Sequence, residues 1–322
     1  MRTYVLKRLL QAIPLLLGIS ALTFTLMKLA PGDFLDQMAD DPMVSAERVA
    51  AMRHAFGLDR PAWQQYLYYL RNVAHGDFGE SFARHQPVFV VLREALGNTL
   101  LLAIAAALVT WCLAIPLGTL AAVRQHRFAD RATSVVAFLG LSIPEVLSGL
   151  LLLLLAARTG WFPVGGMHSL DWDDLGFFGK ALDLGKHLLL PAVVVGLTPL
   201  ASRMRQMRGS LLEVLPLDYV TAARAKGLGE GTVVTKHALR NALNPMITLF
   251  GYTLGSLVSG AFVAEVVFGW PGLGRVTLDA LQAHDQYVVL GAVLLAALVL
   301  VAGNLVAHLM LAAADPRIRH DA

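Results

Sequence analysis

The chain has 322 residues, 56% of them hydrophobic and 15% charged, with a mean hydropathy of +0.60. Soluble domains carry charge on about a quarter of their residues, so this composition excludes an ordinary soluble domain and places most of the chain in a lipid bilayer. The formal net charge is only +3, so the placement of charges matters more than their sum. One cysteine, Cys112, excludes an internal disulfide and a cysteine-rich metal site. It lies in an apolar run and reads as a small packing residue. The ten histidines contain no HExxH and no pair at ligand spacing.

Residues 1–8 are basic, with Arg2, Lys7 and Arg8. Residues 9–29 are apolar and long enough to cross a hydrocarbon core of about 30 Å. The run is too long for a signal-peptide core, and no small-x-small cleavage site follows it, so it reads as a retained first helix. Residues 30–97 are polar and read as a small helical extracytoplasmic insert. Within it, Trp63, Tyr66, Tyr68 and Tyr69 suit a membrane interface or a packing surface.

Five more apolar spans follow, forming a core over 98–314. The second is 98–123 and the third 132–157, separated by a short basic loop. A longer loop with Asp171, Asp173, Asp174 and Asp183 leads to the fourth, 187–207, which Pro191 and Pro199 are expected to break. The fifth, 246–268, is rich in Gly and Ser. A short loop carrying WPGLGR, residues 270–275, leads to the sixth, 287–312, and 315–322 is a basic tail. The fold class is therefore an all-α membrane protein with six transmembrane helices. The helical insert follows the first, and a polar loop joins the fourth to the fifth.

Lys and Arg in short loops set orientation. The N-terminus, the 124–131 loop, the loop after the fourth span and the tail hold most of them. The opposite short loops hold only Arg158, Lys180, Lys186 and Arg275. The long insert carries six arginines, but long loops cross largely regardless of charge. Both termini and the 218–245 loop are thus expected in the cytoplasm of a multi-pass cell-membrane protein.

That loop, DYVTAARAKGLGEGTVVTKHALRNALNP, is the most informative stretch. Residues 218–226 can form a short amphipathic helix, ended by Gly227 at the position after the cap. Gly229 and Gly231 make a turn, 232–243 reads as a second helix, and Pro245 opens the fifth span. Ala222, Ala223 and Ala225 leave the first helix almost without side chains, so another protein's backbone can approach it closely.

The chain has no GxxxxGK[ST] phosphate-binding loop, so any ATP used must be hydrolysed on another subunit. It has no GxSxG, no metal cluster, no carboxylate pair in a span and no sign of nucleic-acid binding. Gly251 and Gly255 are spaced for close helix packing, and Gly255 is also a candidate for lining a path. Glu145 is the one charge deep in a span. Along a straight helix it lies about 21 Å from Arg131, near mid-membrane, where an ionisable residue often lines a water-filled path. Alternatively it is a protonated group hydrogen-bonded to Ser142 or Ser148.

Thr221-Ala222-Ala223 with Gly227 following resembles the EAA loop of permease subunits of ABC importers. The longer string from Asp218 to Leu228, with HALRNAL after it, resembles the dipeptide/oligopeptide/nickel branch. So do LAPGD at 29–33, LSIP at 141–144 and EVVFGWPGLGR at 265–275. Thr221 stands where the general signature has Glu, and Pro245 lies further from Gly227 than that signature places it. An acidic contact to an ATPase then falls to Asp218 or Glu213. The resemblance implies coupling to ATPases through Asp218, Ala222, Ala223, Arg224, Lys226 and Gly227. It implies an external dock or gate at Glu265, Trp270, Pro271, Gly272 and Arg275. The translocation path past Ser142, Glu145 and Gly255 is read from depth and helix packing instead, since the family usually has an uncharged residue after LSIP. The partners would be a second, similar permease, two cytoplasmic ATPases and an extracytoplasmic solute-binding protein, with no cofactor on this chain. Dipeptides, oligopeptides, glutathione-like peptides, nickel chelates and oligosaccharides all remain open as solutes. The rival reading is a secondary transporter driven by an ion gradient, which predicts more ionisable residues in the spans and internal repeats.

Overall fold

The computed structural model describes residues 2–39 and 44–314, and the side chains within them other than those of 2–7, 9, 37, 248, 251–259 and 307–314. The tail at 315–322 lies outside the described residues. All the regular structure described is helical, apart from an isolated bridge between Glu80 and Pro87. The helices in chain order are α1 (Arg2–Leu29), α2 (Phe34–Ala39), α3 (Ala46–Ala55), α4 (Ala62–Ala74) and α5 (Val88–Val123). Then come α6 (Phe128–Ser142), α7 (Glu145–Thr159), α8 (Phe177–Val214), α9 (Asp218–Ala225) and α10 (Glu230–Thr232). A π-helical stretch, Val233–Ala238, leads to α11 (Leu239–Ala242), α12 (Asn244–Phe268), α13 (Leu273–Gln282) and α14 (Gln286–Ala314).

Among the described residues, four stretches are long and apolar enough to cross a membrane: Leu10–Asp36, Val88–Val123, Phe177–Val214 and Gln286–Val306. α6 and α7 pass the same test only together, as a broken span or a re-entrant pair, and they meet at 108° across a short break. The third span is therefore not the single straight helix its apolar run suggests. Pro144 explains the break: it has no N–H to continue the helix, and it forces Ile143 into extended backbone, with φ −85° and ψ 123°. The prolines of α8 act differently. Pro191 and Pro199 lie inside an uninterrupted helix that starts at Phe177 and runs to Val214, so the expected break in the fourth span is absent. Membrane helices tolerate proline where neighbours re-satisfy the freed carbonyls. α12 has 25 residues, but much of its middle lies outside the described side chains.

The chain divides into two compact units, Met1–Thr99 with Pro271–Val301, and Leu100–Trp270 with Ala302–Ala322. In the first, α4 turns Tyr66, Tyr69, Leu70 and Val73 inward, the i, i+3, i+4, i+7 pattern of an amphipathic helix. They pack with Phe24 of α1 and Leu290 of α14. The Tyr66 hydroxyl lies 2.9 Å from Ser20 Oγ and donates to Leu17 O at 3.2 Å, which latches the insert to α1. Val88, Val91 and Leu92 of α5 meet Leu273, Val276 and Ala280 of α13 and Val288, Val289 and Ala292 of α14. The buried Asp285 Oδ2 accepts from Ser81 Oγ at 2.6 Å and from Ala83 N at 3.1 Å, and its Oδ1 accepts from Val288 N at 3.4 Å, which ties the segment before α5 to the start of α14.

In the second unit, α6 packs on α8, and α12 packs on both α7 and α8. Small residues allow the closest approaches. A Cβ on Gly118 of α5 would fall 2.6 Å from the Met204 carbonyl of α8. Thr110 Oγ1 donates to Gly196 O at 3.2 Å across the same pair of helices. The outer faces of these helices are apolar, with Val135, Phe138, Leu150 and Leu154 all exposed, as suits a surface that meets lipid. Cys112 is exposed on α5, so it is not the packing residue its surroundings suggested.

Candidate functional site

The 218–245 loop builds a small body of its own. α9 is a helix of eight residues, and Gly227 follows its cap at φ +77°. That left-handed conformation is open to glycine and strained for most other residues. Inward, Val220 and Ala223 pack with Val233, Val234, Ala238 and Ala242 from the returning segment. The same cluster includes Ala122 at the end of α5, Met207 and Leu211 of α8, and Met246 of α12. The inner face of α9 is thus seated on the ends of three long helices. Outward it presents Asp218, Tyr219, Thr221, Ala222, Arg224 and Ala225, with Lys226 and Gly227 beyond.

Ala223 is therefore a packing residue, and the small outer surface reduces to Ala222, Ala225 and Gly227. Arg224 is committed as well. It makes two hydrogen bonds to the Glu230 carboxylate, at 2.8 and 3.1 Å, and a third to Leu215 O at 3.3 Å. The Arg224 guanidinium holds the Glu230 carboxyl below the usual range. Asn241 Nδ2 donates to the Tyr219 hydroxyl at 2.7 Å, so the two arms of the loop are tied at both ends.

A further clamp lies nearby in the same unit. Arg208 of α8 grips Asp130 of α6 with two hydrogen bonds, at 2.7 and 2.9 Å. Asp130 Oδ2 also accepts from His126 N at 2.9 Å, where the chain turns at φ +63°. Arg208 is adjacent to Met207 and one turn from Leu211, which pack under α9. The pair joins the 124–127 turn to the helix that carries the loop. Its partners are 78 residues apart, so no local spacing in the sequence announces it.

Glu145 is the first residue of α7, directly after Pro144, and is half-buried rather than deep in a continuous span. One of its carboxylate oxygens is buried with no hydrogen-bond partner. Neither Ser142, which is exposed, nor Ser148, which is buried, bonds to it. Gly255 lies in α12, and its surroundings are outside the described residues.

The expected external loop is largely a helix, α13, with a buried face of Leu273, Val276 and Ala280. Glu265 and Trp270 are both fully buried, and Gly272 is buried too. Trp270 packs with Phe268, Ala261 and Ala264. These three cannot offer a docking surface, because their side-chain positions are enclosed. Of the five residues, Pro271 is exposed and Arg275 partly so, the latter 3.6 Å from Asp279.

Residues 1–105 match the family described as binding-protein-dependent transport system membrane component, N-terminal, and residues 114–320 match binding-protein-dependent transport system inner membrane component. The chain belongs to this family. This permease is 39% identical to the oligopeptide transport system permease protein AppB of Bacillus subtilis, covering 99% of this chain and 100% of the relative. It is 39% identical to the dipeptide transport system permease protein DppB of Escherichia coli K12 and 38% identical to the di/tripeptide permease DppB of Pseudomonas aeruginosa, over 99% of each chain. The inward-facing MetNI methionine ABC transporter shares the fold, with a TM-score of 0.50 at 18% identity, over 69% of this permease and 97% of that chain. The permease is a multi-pass inner-membrane subunit of an ABC importer and not an enzyme, and ATP hydrolysis lies on separate subunits. The secondary-transporter reading is set aside.

Proposed function

We propose that this permease imports peptides by alternating access, powered by two cytoplasmic ATPases and fed by an extracytoplasmic solute-binding protein. It pairs with a second, similar permease. It has six spans, 9–29 and five in the 98–314 core, with both ends in the cytoplasm and 30–97 outside. The observation that carries this reading is the loop between α8 and α12, whose small outer face is free while its inner face rests on α5, α8 and α12. ATPases that close on Ala222, Ala225 and Gly227, with Asp218 and Lys226 at the ends, push those helix ends together. Arg224 fixes the shape of the lever, and Ala223 transmits the push. Peptide chemistry is supported by the names of the relatives. The test is co-purification of the assembled complex. Vanadate-sensitive ATP hydrolysis should rise when binding protein loaded with a short peptide is added. A complex whose hydrolysis ignores the loaded binding protein contradicts the reading.

Pro271 and Arg275 form the exposed part of an external dock or gate. In a Cys112-free protein, Arg275→Cys is expected to react with a membrane-impermeant thiol reagent from outside intact cells. Reaction from the cytoplasmic side alone would reverse the topology. With Cys112 replaced, the introduced thiol is the single one in the chain.

Ser142, Glu145 and Gly255 line the path, with Glu145 at its break supplying negative charge. A carboxylate without a buried partner is costly unless water or a cation reaches it. Glu145→Gln keeps the shape and removes the charge. It is expected to shift the preference among cationic, neutral and anionic peptides about tenfold, at unchanged expression. Equal handling of all three classes by both proteins would leave Glu145 a packing residue.

A further inference from the structure

The first unit contains a hollow that no step of transport described above uses. It measures about 210 Å³ and is walled by Phe56, Tyr68, Tyr69, Phe78 and Tyr287, with Asp77 and Glu80 also lining it. A water molecule occupies about 30 Å³ in the liquid, so the hollow has room for a group of several heavy atoms. Its walls are held in place. Phe82 packs edge-on to Phe56 at 4.9 Å and against Tyr287 at 5.3 Å. Gly79, at φ +83°, lies so close to Tyr287 that a Cβ there would fall 3.3 Å from the ring.

The polar groups point to a cation. Asp77 Oδ1 accepts from Gly79 N at 2.8 Å, which fixes the carboxylate and leaves its second oxygen available. Glu80 is exposed and forms no ion pair among the described residues. Among the described residues, no basic side chain lines the hollow. Tyr69 is only 3% exposed, and its hydroxyl is buried with no partner. Burial raises that hydroxyl above the usual tyrosine range, so it stays neutral and adds no charge to the wall. Aromatic enclosures attract organic cations through the ring quadrupole, and two carboxylates add to the attraction. An anion would be repelled, and a neutral guest would leave Asp77 and Glu80 without a role. We propose that this hollow binds a primary ammonium group carried on an aliphatic stem. Two sources share that chemistry: the amino terminus of a peptide, and a lysine side chain of a protein docking from outside. The site stands apart from the import reading, and uptake is not its readout.

The test is saturation-transfer difference NMR on the full chain in lipid nanodiscs, with n-butylammonium as probe and butyramide and butyrate as neutral and anionic controls. Butylammonium should give the signal, and both controls should be at least about fivefold weaker. Asp77→Asn with Glu80→Gln, two exposed positions, should weaken binding about tenfold, and Tyr68→Ala should do the same. Circular dichroism and a monodisperse elution profile check that each variant is folded. Displacement of butylammonium by dialanine but not by Nα-acetyl-lysine amide supports the site with a peptide amino terminus as the source. The reverse supports it with a lysine side chain. Displacement by neither, equal signals from butyramide and butylammonium, or an undiminished signal in the folded Asp77→Asn, Glu80→Gln protein overturns the proposal.

Discussion

Replacing Gly227 with valine is expected to abolish uptake while the protein still reaches the membrane. Gly227 adopts φ +77°, and among the described residues no atom beyond its chain neighbours lies within 4 Å of where its Cβ would stand. The cost is therefore backbone strain and not a clash. For a β-branched residue in the left-handed region it is about 1–3 kcal/mol. That strain falls on the exposed end of α9, away from the cluster under its inner face, so the long helices keep their packing. The loop relaxes by moving the turn, and the outer face at Ala222 and Ala225 is lost as a rigid unit. Asparagine tolerates the left-handed region, so Gly227→Asn should retain much of the uptake. Membrane abundance, ATPase co-purification and uptake are measured side by side for the three proteins. Normal uptake and normal co-purification by the valine variant would remove Gly227 from the coupling surface.

Arg208→Ala should strongly destabilise the second unit. Asp130 is 5% exposed, and removal of its partner leaves a buried carboxylate held only by His126 N. Breaking a buried pair from one side costs about 3–5 kcal/mol. The lower end applies because the Arg208 side chain is 30% exposed. The double variant Asp130→Asn, Arg208→Ala removes the stranded charge and should recover a good part of the loss. Thermal unfolding of the purified variants in detergent distinguishes the cases. A single variant as stable as the parent, or a double variant no better than the single, would show that the pair is not a clamp.

The parts of this molecule that local chemistry controls were legible in its sequence. Gly227 ends a helix at a positive φ, Pro245 sits at the start of α12, and the apolar runs give the membrane class. The parts decided by distant neighbours were not. Pro144 breaks a helix while Pro191 and Pro199 do not, and residue type alone does not separate the two cases. Trp270 reads as part of an external loop, yet it is wholly enclosed in a cluster built from α5, α7, α8 and α12. Ala223 and Ala222 are equivalent in type, but only the position of the returning segment sends one inward. Nothing local in the sequence pairs Asp130 with Arg208, because the helices that bring them together are set by packing far away in the sequence.

The measurement that tests the central claim most directly is uptake of a labelled short peptide into proteoliposomes holding the assembled complex, with loaded binding protein on the outer side. ATP inside the vesicles should drive uptake, vanadate should stop it, and protonophores and sodium ionophores should leave it unchanged. Uptake that proceeds without ATP and collapses when the ion gradients are dissipated would contradict the account.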